Sequence, residues 1–123
     1  IIYEYPELTP DQRHEVWRRL EKQYRPHLNM EGMPFFEKGG FWQRQHHIYS
    51  TPFYYIDYCL AQICALQYKL MMEQDYERAW KSYLKLCRMS ASGFFTDMIR
   101  DVGLLNPLEE ECIQQLIQQL SGA

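Results

Sequence analysis

The residues best equipped for chemistry lie between Trp42 and Tyr58, in the run Trp-Gln-Arg-Gln-His-His-Ile-Tyr-Ser-Thr-Pro-Phe-Tyr-Tyr-Ile-Asp-Tyr. Two of the four histidines, His46 and His47, and four of the ten tyrosines, Tyr49, Tyr54, Tyr55 and Tyr58, are gathered there. Imidazole exchanges a proton near neutral pH, and a phenol is an uncharged hydrogen-bond donor. Thr51 is a candidate N-cap and Pro52 suits a first helical position, so a helix is predicted from Pro52 onward. The imidazoles then fall in the approach loop and the phenols on the opening turns, with Tyr54 and Tyr58 an i,i+4 pair and Tyr55 and Tyr58 an i,i+3 pair. Hydroxyls converging beside a histidine can stabilise an oxyanion or orient a peptide carbonyl. Tyrosines at helical spacing equally fit a core edge, their hydroxyls satisfied by backbone or water.

A metal site is harder to assemble. His14-Glu15-Val16-Trp17-Arg18 begins like a zinc-binding H-E-x-x-H but carries arginine where the second histidine is required, so His14 is predicted to be a solvated helix residue. His46 and His47, adjacent in an extended loop, point apart and chelate one ion poorly. A catalytic zinc needs three protein ligands and an open position, and His27 with scattered carboxylates does not complete such a set. No metal is therefore expected on this chain by itself. Glu37-Lys38-Gly39-Gly40 reads as a plain turn, since no phosphate-loop pattern accompanies the glycines.

The elements that must position these groups are helical. Thr9-Pro10-Asp11-Gln12 predicts a first helix with a capping box, its thin apolar stripe of Val16, Trp17, Leu20 and Tyr24 suited to an outer position, and Pro26 ends it. From Pro26 to Thr51 the chain has little periodicity and reads as a long irregular loop. The next helix, about Pro52 to Glu73, is apolar on nearly every side and is expected to be central and surrounded. A third, about Tyr76 to Met89, places Tyr76, Ala79, Trp80, Tyr83, Leu84 and Cys87 on one predicted buried face. Ser92 is a candidate cap for a short helix through Phe95, Met98, Ile99 and Val102, stopped by Gly103. Asn106-Pro107-Leu108-Glu109 predicts the start of a last helix that buries Leu108, Cys112, Ile113, Leu116, Ile117 and Leu120. The expected fold class is all-α: a bundle-like array of about five helices with a long irregular loop before the central one.

Composition narrows the function. A chain of 123 residues that is 46% hydrophobic and 15% aromatic is one folded segment, not a disordered tail. A formal net charge of -3 supplies no basic field for nucleic acid. The most apolar stretch, from Pro52 to Met72, is broken by Asp57, Gln62, Gln67 and Lys69, which excludes a membrane span. The four cysteines, Cys59, Cys64, Cys87 and Cys112, form no C-x-x-C pair and fall among apolar helix neighbours. They read as buried reduced thiols of a cytoplasmic protein. No signal peptide or initiator methionine opens the chain, as expected for one segment of a larger protein.

Trp42, Arg44, His47, Ile48 and Tyr49, followed by Phe53-Tyr54-Tyr55-Ile56-Asp57-Tyr58, resemble the C-terminal catalytic segment of oligoendopeptidase F, a zinc metallopeptidase of the thimet-oligopeptidase type. The resemblance continues through Gln62 and Ala65 and covers most of the chain. It implies that residues 1–123 are a single helical segment, the C-terminal part of the catalytic domain of a peptidase that cuts short peptides. Zinc is then a cofactor of the whole enzyme, held by an H-E-x-x-H helix and a glutamate elsewhere in the catalytic domain. The resemblance implies catalytic roles for His47, Tyr58 and Tyr55, with Tyr58 the best match for the tyrosine that hydrogen-bonds the tetrahedral intermediate. It implies substrate contacts for Tyr54, His46 and Tyr49, His46 being a local departure from a smaller residue. Which of Tyr54, Tyr55 and Tyr58 meets the reacting carbonyl stays open. The competing expectation is a free-standing helical interaction domain without catalysis, in which the aromatic stretch docks a partner.

Overall fold

The first helix starts where its capping box dictates. In the computed structural model, which describes residues 1–89 and 93–122, α1 spans Pro10–Tyr24. Thr9 Oγ1 accepts from the Gln12 backbone N–H at 3.3 Å, and the Thr9 N–H donates back to Gln12 Oε1 at 2.9 Å. Arg13 donates to the Leu8 and Pro6 carbonyls at 2.9 and 2.8 Å, tying the N-terminal turn to the helix. No residue of α1 is fully buried, as its narrow apolar stripe predicts.

The protein is all-α, with seven α-helices and one 3-10 helix among the described residues. These are α1, then α2 (Pro34–Glu37), a 3-10 helix (Gly40–Arg44), α3 (His46–Ser50), α4 (Ile56–Gln74), α5 (Tyr76–Arg88), α6 (Phe95–Asp101) and α7 (Glu110–Ser121). They fall into two compact units, Ile1–Tyr54 and Tyr55–Ala123. The stretch expected to be a long irregular loop thus contains three short helical pieces. The cap expected at Ser92 falls outside the described residues.

Two predicted helix starts are displaced for one physical reason. Thr51 and Pro52 do not open α4, which begins at Ile56. Thr51 instead ends α3, and the Tyr54 N–H donates to the Thr51 carbonyl at 3.2 Å. Proline second and a positive φ third (67° at Phe53) are the pattern of a type II turn. Pro107 likewise sits second in a turn closed by Glu109 N–H on the Asn106 carbonyl at 3.1 Å, and α7 starts at Glu110. There the Asn106 side chain accepts from the Leu108 N–H at 3.1 Å, a local bond that competes with helix initiation.

In the second unit, α4 packs against α5 and α7. Cys64, Tyr68, Ile99, Val102 and Leu104 form the core, with Met71, Leu86 and Met89 packed against it. Asp75 joins α4 to α5 by itself: its N–H donates to the Met71 carbonyl at 2.8 Å, and its Oδ1 accepts from the Arg78 N–H at 3.0 Å. Past the end of α6, Gly103 takes φ +80°. Gly103 N–H donates to the Arg100 carbonyl at 2.9 Å and Leu104 N–H to the Ile99 carbonyl at 3.1 Å, a Schellman ending with its Ile99–Leu104 apolar pair in the core.

Side chains of α4 and α5 then hold this backbone. Lys85 Nζ donates to the Asp101 carbonyl and Ser82 Oγ to the Val102 carbonyl, both at 2.6 Å. Ser82 has one proton, so Tyr68, 3.2 Å from Ser82 Oγ, must be the donor of that pair. Burial raises the pKa of the Tyr68 hydroxyl, which keeps it in this donor form. Gln67, only 8% exposed, bonds both sides of one peptide residue. Its Oε1 accepts from the Leu105 N–H at 2.7 Å and its Nε2 donates to the Leu105 carbonyl at 3.0 Å.

Several burial expectations need correction. The first turns of α4 are not surrounded: Ile56 and Tyr58 are exposed, and only Cys64, Gln67 and Tyr68 of this helix are buried. On α5, Ala79 is buried but Tyr76, Trp80, Tyr83 and Cys87 are exposed. Its covered positions are Ala79 and the half-buried Ser82, Leu84 and Leu86, with Ser82 reaching the Val102 carbonyl. Leu108 and Ile117 are exposed as well. All four cysteines are free, but only Cys64 and Cys112 are buried; burial pushes both thiols up.

Replacing Gln67 by leucine keeps the volume and removes both side-chain bonds to the Leu105 backbone, leaving its carbonyl the Cys112 thiol at 4.0 Å. The variant should lose about 2–4 kcal/mol in urea unfolding, and an unchanged midpoint would show that the clamp contributes nothing.

Candidate functional site

The candidates of the first unit rest on a close backbone crossing. Gly39 takes φ +83°, and a Cβ there would lie 2.1 Å from the His14 carbonyl oxygen of α1. A Cβ on Gly40 would meet the Phe35 carbonyl at 2.6 Å. The glycine pair is therefore more than a plain turn. It lets the 3-10 helix lie directly on α1, where Trp17 stacks with Phe41 at 6.1 Å between centroids. His14 is correspondingly packed and not solvated: its side chain is 20% exposed and its ring lies 5.9 Å from that of Trp42.

The predicted approach loop is a helix at this point. His46, His47 and Tyr49 all belong to α3, a single turn whose N-cap, Gln45, makes no side-chain capping bond. His46 is exposed and His47 half-buried, their rings 6.3 Å apart and inclined by 71°. Tyr49 stacks on Trp42 at 6.0 Å and 26°. His47 stacks on Tyr54 at 6.0 Å and 19°. Phe53, in its left-handed turn, stacks on Tyr3 at 5.1 Å.

The candidates of the second unit stand at the start of α4. Tyr55 occupies the N-cap position and Tyr58 the first turn, their rings meeting edge-on at 5.4 Å. The expected i,i+3 pair thus forms. The i,i+4 relation of Tyr54 to Tyr58 does not exist as a helical pair, because Tyr54 lies in the turn before α4. All three phenols are close to half exposed, Tyr58 at 54%.

The six residues thus comprise a His47–Tyr54 stack beside Tyr49 and His46 in the first unit, and a Tyr55–Tyr58 pair in the second. Neutral phenols and an imidazole at the surface can donate to, or accept from, a peptide group without introducing fixed charge. Among the described residues, no group of three or more His, Cys, Asp or Glu side chains could hold a metal ion. A cleft of about 460 Å³ opens elsewhere in the first unit, lined in part by Arg18, Lys22, Arg25, Glu31 and Glu37, and none of the six candidates lines it. Its Arg25 is already matched to Glu21 at 2.5 Å. Sequence reasoning missed the organising roles of Gly39, Gly40 and Gln67; a doubled glycine facing a helix was the available signal for the first two.

No protein-family model matches the chain, and neither does any curated protein. Two solved structures do. One, PZ peptidase A with an inhibitor, is 45% identical over 98% of this chain with a TM-score of 0.89. The other, assigned to oligoendopeptidase F, is 40% identical over 98% of this chain, also with a TM-score of 0.89. The chain spans about a fifth of each, 22% and 21% of their lengths.

Changing Gly39 to alanine should destabilise the fold by more than about 2 kcal/mol, combining left-handed strain with the clash on His14. Gly103 has a similar φ but meets nothing within 4 Å, so Gly103→Ala should lose only about 1–2 kcal/mol. Equal losses in urea unfolding would remove the close crossing as a cause.

Proposed function

Because this chain belongs to the family of oligoendopeptidase F and PZ peptidase, we propose that it supplies the histidine and tyrosine side of the active site of a zinc-dependent peptidase that hydrolyses short peptides. The observation that carries this reading is the half-exposed phenol pair at the start of α4, with Tyr58 54% exposed and set edge-on to Tyr55. A side chain sealed in the core would be covered; these are half exposed. The reading makes this chain the C-terminal part of a catalytic domain. The rest of that domain and short peptides are its partners, and the cytoplasm is its compartment. Among the described residues no helix is long and apolar enough to cross a membrane.

Zinc does not fit the residues of this chain, which assemble no three-ligand group among those described. Its ligands belong to the remainder of the enzyme, and the chemistry assigned here needs only the chain's own donors. As an amide carbonyl becomes tetrahedral, its oxygen gains charge, and a donor aimed at that position strengthens its bond as the charge grows. Tyr58 fills this role, and Tyr55 fixes its ring by the edge contact. His47, held against Tyr54 in the first unit, is a further donor to the substrate. Tyr54, His46 and Tyr49 line the path of the peptide.

In the full-length enzyme, Tyr58→Phe should lower kcat by about 10²–10³ with little change in KM, since only the transition-state hydrogen bond is lost. Steady-state hydrolysis of a fluorogenic peptide tests this, and wild-type turnover would remove Tyr58 from the mechanism.

A further inference from the structure

A one-turn helix cannot hold its own direction. Helix nucleation is unfavourable and short isolated helices are marginal in water. α3 has five residues, no side-chain N-cap bond and no buried residue, yet it carries His46, His47 and Tyr49. Something outside it must set its orientation.

The contacts identify what does. Trp42, half-buried on the 3-10 helix, has two aromatic neighbours: the tilted ring of His14 of α1 at 5.9 Å and the stacked ring of Tyr49 of α3 at 6.0 Å. The α1 side of this contact pair is fixed by the crossing at Gly39, where the chain lies on the His14 carbonyl. The backbone reinforces it, since Gln45 N–H donates to the Trp42 carbonyl at 3.0 Å and Ile48 N–H to the Gln45 carbonyl at 3.0 Å. His47 and Tyr49 are two residues apart, about 200° around a helix at roughly 100° per residue. A grip on Tyr49 therefore presents His47 on the opposite face, where it meets Tyr54 at 6.0 Å.

We infer that Trp42 is a positioning residue: by stacking on Tyr49 it fixes the orientation of α3 and so the direction in which His47 is presented. The inference rests on the proposed role of His47 and adds the device that aims it. The flat ring matters, and not the indole N–H. Trp42 Nε1 is buried without a hydrogen-bond partner, so the nitrogen makes no bond that phenylalanine would lose.

The test is a double-mutant cycle in the full-length peptidase, with thermal unfolding of each variant followed in parallel. Trp42→Leu keeps apolar bulk but removes the stacking plane; its kcat should fall about 10- to 100-fold, with KM changed less than about threefold. Trp42→Phe should stay within about threefold of wild type in kcat, because the stack survives. In the His47→Ala background, Trp42→Leu should cause no further loss. Wild-type turnover by Trp42→Leu while His47→Ala is slow would overturn the inference alone. So would an equal loss in the His47→Ala background, a Trp42→Phe loss as large as that of leucine, or a kcat loss that merely follows the fraction unfolded. Wild-type turnover by His47→Ala would instead overturn the underlying assignment of His47, and the inference with it.

Discussion

The backbone from Asp101 to Leu105 leaves the end of α6 with polar groups that its own helix does not pair, and side chains of α4 and α5 receive them. A buried carbonyl or N–H without a partner costs about 1–3 kcal/mol, more than a typical hydrogen bond contributes net. Lys85, Ser82 and Gln67 answer the Asp101, Val102 and Leu105 groups in turn. Gln67 does so from a buried position, Ser82 from a half-buried one and Lys85 from the surface. The requirement explains why α5 turns Ser82 and Leu86 toward the core and leaves Trp80 and Tyr83 at the surface. Apolar burial supplies the gain in free energy, but polar satisfaction decides the rotation of the helices.

The first unit has less core to work with. No residue of α1, α2 or α3 is fully buried. Its order comes from ring contacts and from one place where backbone meets backbone. The glycines at 39 and 40 remove the two Cβ atoms that would hold the 3-10 helix away from α1 and Phe35. The aromatic contacts then run outward from that crossing, through Trp42 to Tyr49 and, on the far face of α3, from His47 to Tyr54.

How much of this was legible depended on whether local chemistry was unambiguous. Thr9-Pro10-Asp11-Gln12 could be read because Gln12 reciprocates the cap. Thr51-Pro52 and Asn106-Pro107 likewise offered a capping residue followed by proline and made turns instead. Tyr54 cannot return a hydrogen bond to the Thr51 N–H as Gln12 does, and the Asn106 side chain is spent on Leu108 and Glu109. Proline fixes its own φ equally well for the first turn of a helix and for the second position of a β-turn. The same ambiguity reaches the site, where Tyr54 lies in a turn and the two histidines lie on a helix. The Tyr55–Tyr58 contact was legible because it depends only on i,i+3 spacing once a helix exists. The role of Gln67 was not, because a glutamine in an apolar helix does not announce a peptide 38 residues away.

Asp75 is the whole of the joint between α4 and α5, closing one helix with its N–H and opening the next with its carboxylate. A joint of one residue has no slack. Adding or removing a residue there would turn α5 by about a quarter of a revolution and carry Ser82 and Lys85 away from the carbonyls they serve. Length variation among homologous chains should therefore spare this hairpin tip and collect in segments with room to bulge, such as residues 25–33. The hairpin behaves as one lever, and whatever displaces the exposed start of α4 must move α5 with it.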